Sequence, residues 1–186
     1  LRRARRDSDA LVRQAAAAAL ARLARQAPEP LRLISLGQFQ VFRGERLIDD
    51  RAWGRRAAKR LFKILIAHRG RLVPREALIE LLWPEVAPDV GVNRLKALVH
   101  HLRRVLEPDP AAAFQTGLLA DAPSTFVVRE GEQYGFDLRS PYRLDADEFR
   151  DEVARAVRLA REGLAEEARA RWAATAALYR GDFLEE

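Results

Sequence analysis

Residues 88–106 read PDVGVNRLKALVHHLRRVL. Wound as an α-helix at about 100° per residue, the stretch gathers Leu95, Leu98, Val99, Leu102, Val105 and Leu106 on one side. Asn93, Ala97, His100 and Arg104 gather opposite, flanked by Arg94, Lys96, His101 and Arg103. One face is aliphatic; the other carries four cations, two imidazoles, an amide and one small alanine. The back is built to be buried and the front to be offered. Arg, Lys and Asn on such a front suit the major groove of DNA, where they read base edges or hold phosphates. A surface helix with a solvated basic face has the same pattern, so the flanking sequence must decide between them.

The chain has 186 residues, 48% hydrophobic and 32% charged, enough for one sizeable domain or two small ones. A net charge of +6 and a sequence pI near 10.4 point to a polyanionic partner. The charge is uneven: +4 over residues 1–30, +6 over 31–143 and −4 over 144–186. The last piece is therefore not expected to touch nucleic acid. There is no cysteine, which removes disulfides, thiolate zinc sites and cysteine nucleophiles together. No apolar run approaches the roughly 20 residues of a membrane span, and no secretory signal is visible. A cytoplasmic protein with no membrane partner is the expectation. The start at Leu1 and the lack of methionine suggest a piece of a longer chain.

Taken in order, residues 1–26 read as one helix, with Leu11, Val12, Ala15, Ala16, Ala19, Leu20 and Leu23 at helical spacing. This segment resembles half of a HEAT-type helical repeat, and an alanine-rich amphipathic helix accounts for it equally well. Ala27-Pro28-Glu29-Pro30 then marks a linker. From Leu31 the period is two: LRLISLG, FQVFRG and ERLID, separated by Gly37 and Gly44, form a β-meander signature. After Trp53-Gly54 the period is helical again, with Ala57, Leu61, Ile64, Leu65 and His68 on one face. Arg55, Arg56, Lys59, Arg60 and Lys63 make the other side basic. A small strand at 71–73 precedes a helix opened by Pro74, with Leu78, Ile79, Leu81, Leu82 and Trp83 as buried candidates. The seven residues PEVAPDV (84–90) lead into the basic helix.

Downstream, STFVVR and QYGFDL flank Glu130-Gly131-Glu132 as a hairpin, placed where a winged-helix protein keeps its wing. Arg129 near its tip could reach a minor groove or phosphates. From Asp145 two helices follow, turned at Gly163. Asp145 and Glu148 stand at capping-box spacing. Phe149, Val153, Ala156, Val157 and Ala160 form one stripe, and Leu164, Ala168, Trp172, Ala176 and Tyr179 a second. The pair is similar to a single tetratricopeptide-style repeat. A lone repeat must lean on a neighbour to bury its hydrophobic face.

LISLGQF at 33–39, the helix at 61–68, REALIELLWPE at 75–85 and HHLRRVLEP at 100–108 carry a resemblance, continued by YGFDL at 134–138 and LYRGDFLE at 178–185. In this order the motifs resemble the antibiotic-regulatory-protein class of bacterial transcriptional activators. That class joins an OmpR/PhoB-like winged helix-turn-helix to a tetratricopeptide-like bacterial transcriptional activator domain. The resemblance implies an α+β winged helix at 31–143 with an N-terminal meander and a hairpin wing. It implies the truncated start of an all-α activator domain at 144–186, and leaves 1–30 as a helix and linker ending an upstream helical domain. It further implies that Asn93, Arg94, Ala97, His100, His101 and Arg104 face promoter DNA, with Lys96, Arg103 and Arg129 supplying phosphate attraction. Protomers would sit on tandem repeats as a possible homo-oligomer. The loop Glu85, Val86, Ala87, Pro88 and Asp89 would face RNA polymerase. His100 and His101 stand where many OmpR-like proteins carry arginine, which weakens phosphate attraction or makes it pH-dependent. Ala97 offers only a methyl, suited to thymine.

Adjacent histidines point about 100° apart on a helix, and with no convergent third ligand neither a metal nor a cofactor is expected. Trp53, Trp83 and Trp172 read as core, and Glu148, Asp151 and Glu152 as a helix N-terminal charge cluster. Gly181-Asp182-Phe183-Leu184 reads as a packing motif. No phosphate-binding loop or nucleophile elbow is present, so no enzyme is expected. The alternatives are a winged-helix protein-interaction module and the output end of a larger nucleotide-driven switch protein.

Overall fold

The computed structural model describes residues 29–107 and 124–185. The helix expected at 1–26 and the stretch at 108–123 lie outside them.

β1 (Leu31–Ile34), β2 (Gln40–Arg43) and β3 (Arg46–Leu47) form the antiparallel meander that the period-two pattern predicts. A further strand, β7 (Tyr142–Leu144), pairs parallel to β1 and completes a four-stranded sheet in the order β3-β2-β1-β7. Leu31, Leu33, Val41 and Leu144 turn inward from it. A single-turn helix, α1 (Asp50–Trp53), follows β3; Asp49 caps it by accepting the Ala52 N–H at 2.8 Å. Next come α2 (Arg56–Ala67), the two-residue strand β4 (Val73–Pro74), α3 (Arg75–Leu82) and α4 (Pro88–Leu106). The hairpin of β5 (Val127–Glu130) and β6 (Gln133–Phe136) joins β4 in a second sheet, ordered β4-β6-β5. Glu130 pairs with Gln133, so the turn is Gly131-Glu132, and Gly131 takes a left-handed φ of 58° that a side chain would resist.

The core sits between the first sheet, the helices and the hairpin. Phe62 of α2 lies at its centre, in ring contact with Phe39, Trp53 and Phe136 at centroid separations of 6.2, 5.9 and 6.0 Å. Each fully buried aliphatic or aromatic side chain contributes about 1.5–3 kcal/mol, which is why α2, fully buried at Ala58, Leu61, Phe62, Leu65 and Ile66, anchors the domain.

The two C-terminal helices, α5 (Asp145–Arg161) and α6 (Ala165–Ala176), form a hairpin bent at Gly163, where φ is 80°. The pair leans on the winged domain. Asp145 is buried, and its carboxylate accepts from Ser35 N and Oγ at 2.7 Å each and from Leu36 N at 3.1 Å. It therefore serves the loop after β1, not the capping box of its own helix, which has no side-chain cap hydrogen bond. Residues 181–185 return to the same loop: Leu184 N donates to Ser35 O at 2.7 Å, Gly37 N to Asp182 O and Phe39 N to Glu185 O. The packing expected of the Gly-Asp-Phe-Leu motif is thus made by its backbone. Arg69 of the turn after α2 donates twice to Asp147, at 3.1 and 2.7 Å.

Other side chains depart from their expected places. Lys63, expected on the basic side of α2, is buried, and its ammonium donates to Leu184 O at 2.9 Å. Pro74 belongs to β4 and precedes the first turn of α3. Leu81 and Trp172, expected in the core, are 45% and 41% exposed; Trp53 is buried and Trp83 packs half-buried against the core. Most of the second stripe of the helical pair, including Leu164 and Tyr179, is exposed, and Ala168 is its buried member. The helix at 88–106 has the bounds read from the sequence, so of the seven residues 84–90 the last three are its first turn.

Candidate nucleic-acid interface

The sequence makes α4 a two-faced helix, and the fold fixes its rotation. Leu95, Leu98, Val99, Leu102, Val105 and Leu106 are all buried. Near its start, Gly91 meets α3 so closely that a Cβ there would stand 2.5 Å from Ile79 Cγ2. At its end, Arg43 of β2 donates through Nη2 to Val105 O at 3.0 Å, satisfying one of the last-turn carbonyls that a helix leaves without partners. Burial pulls the Arg43 guanidinium below its ordinary pKa, with Glu29 opposing that shift. Arg103 donates to Val127 O of the hairpin at 3.2 Å. Glu107, just past the helix, accepts from Ser124 Oγ and from the backbone N–H groups of Thr125 and Phe126. The wing is thereby tied to the end of α4.

With the back so held, Asn93, Arg94, Lys96, Ala97, His100 and Arg104 are exposed on the outer face. Two residues expected beside them are turned toward the protein. Arg103 is half-buried in its contact with the hairpin. His101 is half-buried too, and its Nε2–H donates to Trp53 O at 2.8 Å.

A cleft of about 600 Å³ opens on this face, lined by Val90, Asn93, Arg94, Ala97 and Leu98 of α4 together with Arg55, Ala57 and Trp83. Arg55, Arg94 and Asn93 give its lining donors, and Ala57, Trp83, Val90, Ala97 and Leu98 give it apolar surface. The sequence reading placed Arg55 on a basic helix side but not at this interface. No periodicity could have joined it to α4, because the two meet only through the fold.

At the wing, Arg129 is exposed; its Nε donates to Gly131 O at 2.9 Å and its guanidinium lies 5.9 Å from the Tyr134 ring centroid. Glu130 and Glu132 flank the turn, so the tip is not uniformly basic. Glu132 pairs with Arg75, whose guanidinium is held above its ordinary pKa mainly by Glu76 and next by Glu132. In the segment before α4, Glu85 and Ala87 are exposed and Val86 half-buried, while Pro88 and Asp89 lie exposed in the first turn.

Among the described residues no group of three or more His, Asp or Glu side chains could hold a metal ion, and no helix is long and apolar enough to cross a membrane.

Residues 40–116 match the family model described as "Transcriptional regulatory protein, C terminal". The solved structure of Mycobacterium tuberculosis EmbR in complex with a low affinity phosphopeptide shares the fold, with a TM-score of 0.62 and 21% sequence identity. That likeness covers 83% of this chain and 37% of the EmbR chain, so the present chain spans little more than a third of that protein. No curated protein matches the chain by sequence. The family-model match falls on the segment from β2 through α4, and the fold shared with EmbR extends over most of the chain.

Proposed function

We propose that the chain binds double-stranded DNA sequence-specifically, with α4 of its regulatory domain in the major groove. One observation carries the reading. The helix buries its whole aliphatic side in the core and leaves Asn93, Arg94, Lys96, Ala97, His100 and Arg104 exposed. Asn93, Arg94, Ala97 and His100 are the base-reading set. Lys96 and Arg104 on α4 and Arg129 on the wing hold phosphates. Arg103 and His101 serve the interface from behind it.

The resemblance adds activation of transcription by tandemly bound protomers and contact with RNA polymerase through Glu85, Val86, Ala87, Pro88 and Asp89. The exposure of Glu85, Ala87, Pro88 and Asp89 on the side of α4 supports that contact. A bacterial cytoplasmic protein without enzymatic activity fits these roles.

The test is selection of bound duplexes from a random pool, then titration of the selected duplex against rising salt. Log affinity should fall linearly with log salt, with a slope near −0.9 per neutralised phosphate. Arg104→Ala should weaken binding on all sequences. Asn93→Ala and His100→Ala should change the preferred base, each contact being worth about 1–3 kcal/mol. A shallow salt slope, with cognate and random duplex bound alike by wild type and all three variants, would reject DNA reading. It would favour a module that docks its basic face on an acidic protein.

A further inference from the structure

We propose that Arg55 is a further phosphate contact, and that His101 is the positioning residue that aims it. The inference rests on α4 lying in a DNA groove. Arg55 and His101 meet at one atom. The carbonyl oxygen of Trp53 accepts the Nε2–H of His101 at 2.8 Å and the backbone N–H of Arg55 at 2.5 Å. Gly54, between them, takes a left-handed φ of 60°. A Cβ at that position would stand 3.4 Å from both Cε1 and Nε2 of His101, so the glycine lets the imidazole close over the bend. The bend between α1 and α2 is thus pinned from α4, by the residue next to His100 on the outward face.

What leaves that bend is Arg55, in extended conformation (φ −134°, ψ 124°) and exposed. Arg55 lines the same cleft as Asn93, Arg94 and Ala97. Among the described residues Arg55 has no carboxylate partner, whereas nearby Lys59 is engaged by Asp50 at 3.2 Å. A guanidinium with no carboxylate partner among the described residues, sharing a cleft with the base-reading residues, is placed for the phosphates bordering the groove they read. The recognition helix therefore sets the aim of a second contact on another helix. This accounts for a histidine within a basic run that gives its Nε2–H to the protein.

The experiment is a fluorescence-anisotropy titration of the selected duplex and a random duplex between 50 and 200 mM salt, using the whole chain. Arg55→Ala should flatten the salt slope by about 0.9, so the affinity lost across that range shrinks about threefold. It should weaken cognate and random duplex equally, unlike Asn93→Ala, which changes the preference. His101→Ala should reproduce the flattened slope, and His101→Gln, which retains an N–H donor, should restore it. The double variant should lose no more than either single variant, since both remove one contact. Arg55→Ala alters an exposed side chain and so keeps the test independent of folding. A wild-type slope in Arg55→Ala overturns the inference while leaving DNA reading intact, as does additive loss in the double variant. A wild-type chain that binds without salt dependence overturns both.

Discussion

Replacing Asp145 by alanine should cost about 3–5 kcal/mol of folding stability. Ser35 is fully buried and Asp145 is 5% exposed, so water does not stand in for the carboxylate. The substitution strands two backbone N–H groups, those of Ser35 and Leu36, and the Ser35 hydroxyl. A buried donor left without an acceptor costs about 1–3 kcal/mol, more when the lost partner was charged. The hydroxyl can rotate toward another acceptor, so the two N–H groups carry most of the loss. A carboxylate in the first turn of α5 adds about 0.3–1 kcal/mol through the helix dipole. Asp145→Asn separates the contributions. Its single amide oxygen can still serve Ser35, but its NH2 group faces Leu36 N, and about 1–3 kcal/mol should be lost.

Urea unfolding followed by far-UV circular dichroism reads both values, provided the slope against urea stays constant. Hydrogen exchange supplies a local readout. Ser35 offers its carbonyl to Leu184 N at 2.7 Å while its N–H and hydroxyl hold Asp145. Loss of the carboxylate should therefore release the amides of Gly37, Phe39 and Leu184 ahead of those in α2. A loss below about 1 kcal/mol for Asp145→Ala, or equal stability of the asparagine and wild-type chains, refutes the view that this carboxylate joins the helical pair to the winged domain.

Gly91→Ala should destabilise by about 1–3 kcal/mol, because its Cβ must displace Ile79 Cγ2 from 2.5 Å in a packed core; thermal unfolding checks this, and an unchanged midpoint contradicts it. Glu107→Ala should cost about 1–3 kcal/mol and speed hydrogen exchange at Thr125, Phe126 and the hairpin while leaving α5 and α6 protected. Equal acceleration everywhere would mean that Glu107 does not act locally. Glu152 is held below the usual glutamate range, first by its hydrogen bond from Arg171 and then by the charges of Arg171 and Arg155, against desolvation. A depressed carboxylate pKa gives stability that is present above the unfolded-state value and lost as pH falls through the folded one. The melting temperature of wild type should thus exceed that of Glu152→Gln at neutral pH and converge with it in acid; a constant gap counts against the ion pair.

The meander, the hairpin and α4 were legible because each repeats a pattern over enough residues to show its period. The single turn of α1 is too short for any period, and its existence rests on Asp49 and the packing of Trp53. β7 was hidden for another reason: three residues pair with a strand over a hundred positions earlier, and only closure of the sheet rewards them. Asp145 carries a capping signal that the fold overrides, since an acceptor for three donors across the domain outweighs a local cap. Lys63 lies on the wheel among basic neighbours, yet returning carbonyls at 184–185 give its ammonium acceptors inside. Leu81 and Trp172 show the converse: an apolar side chain may stay outside at little cost, so hydrophobicity marks candidates for the core without filling it. At the interface the wheel separated the outer face well. It could not resolve His101, whose partner Trp53 O lies 48 residues away.

The way α4 is held explains how a marginal surface pattern becomes a fixed outer face. Consecutive residues on a helix are separated by about 100°, so rotation by one residue would turn Leu95 and Val99 outward and Arg94 and Ala97 toward the core. Hydrophobic burial alone resists this, but aliphatic side chains can interdigitate at neighbouring registers for small penalties. Directional contacts remove the ambiguity. Ile79 against Gly91 fixes the start, Trp53 O on His101 the middle, and Arg43 on Val105 O together with Glu107 the end. Each comes from a different element, so the outer face is set by the whole domain and is ordered before any ligand arrives. Binding then pays little to order the helix, and affinity goes to the contacts themselves. The corollary is that substitutions on the buried side, Gly91→Ala above all, should blur the sequence preference before they abolish folding.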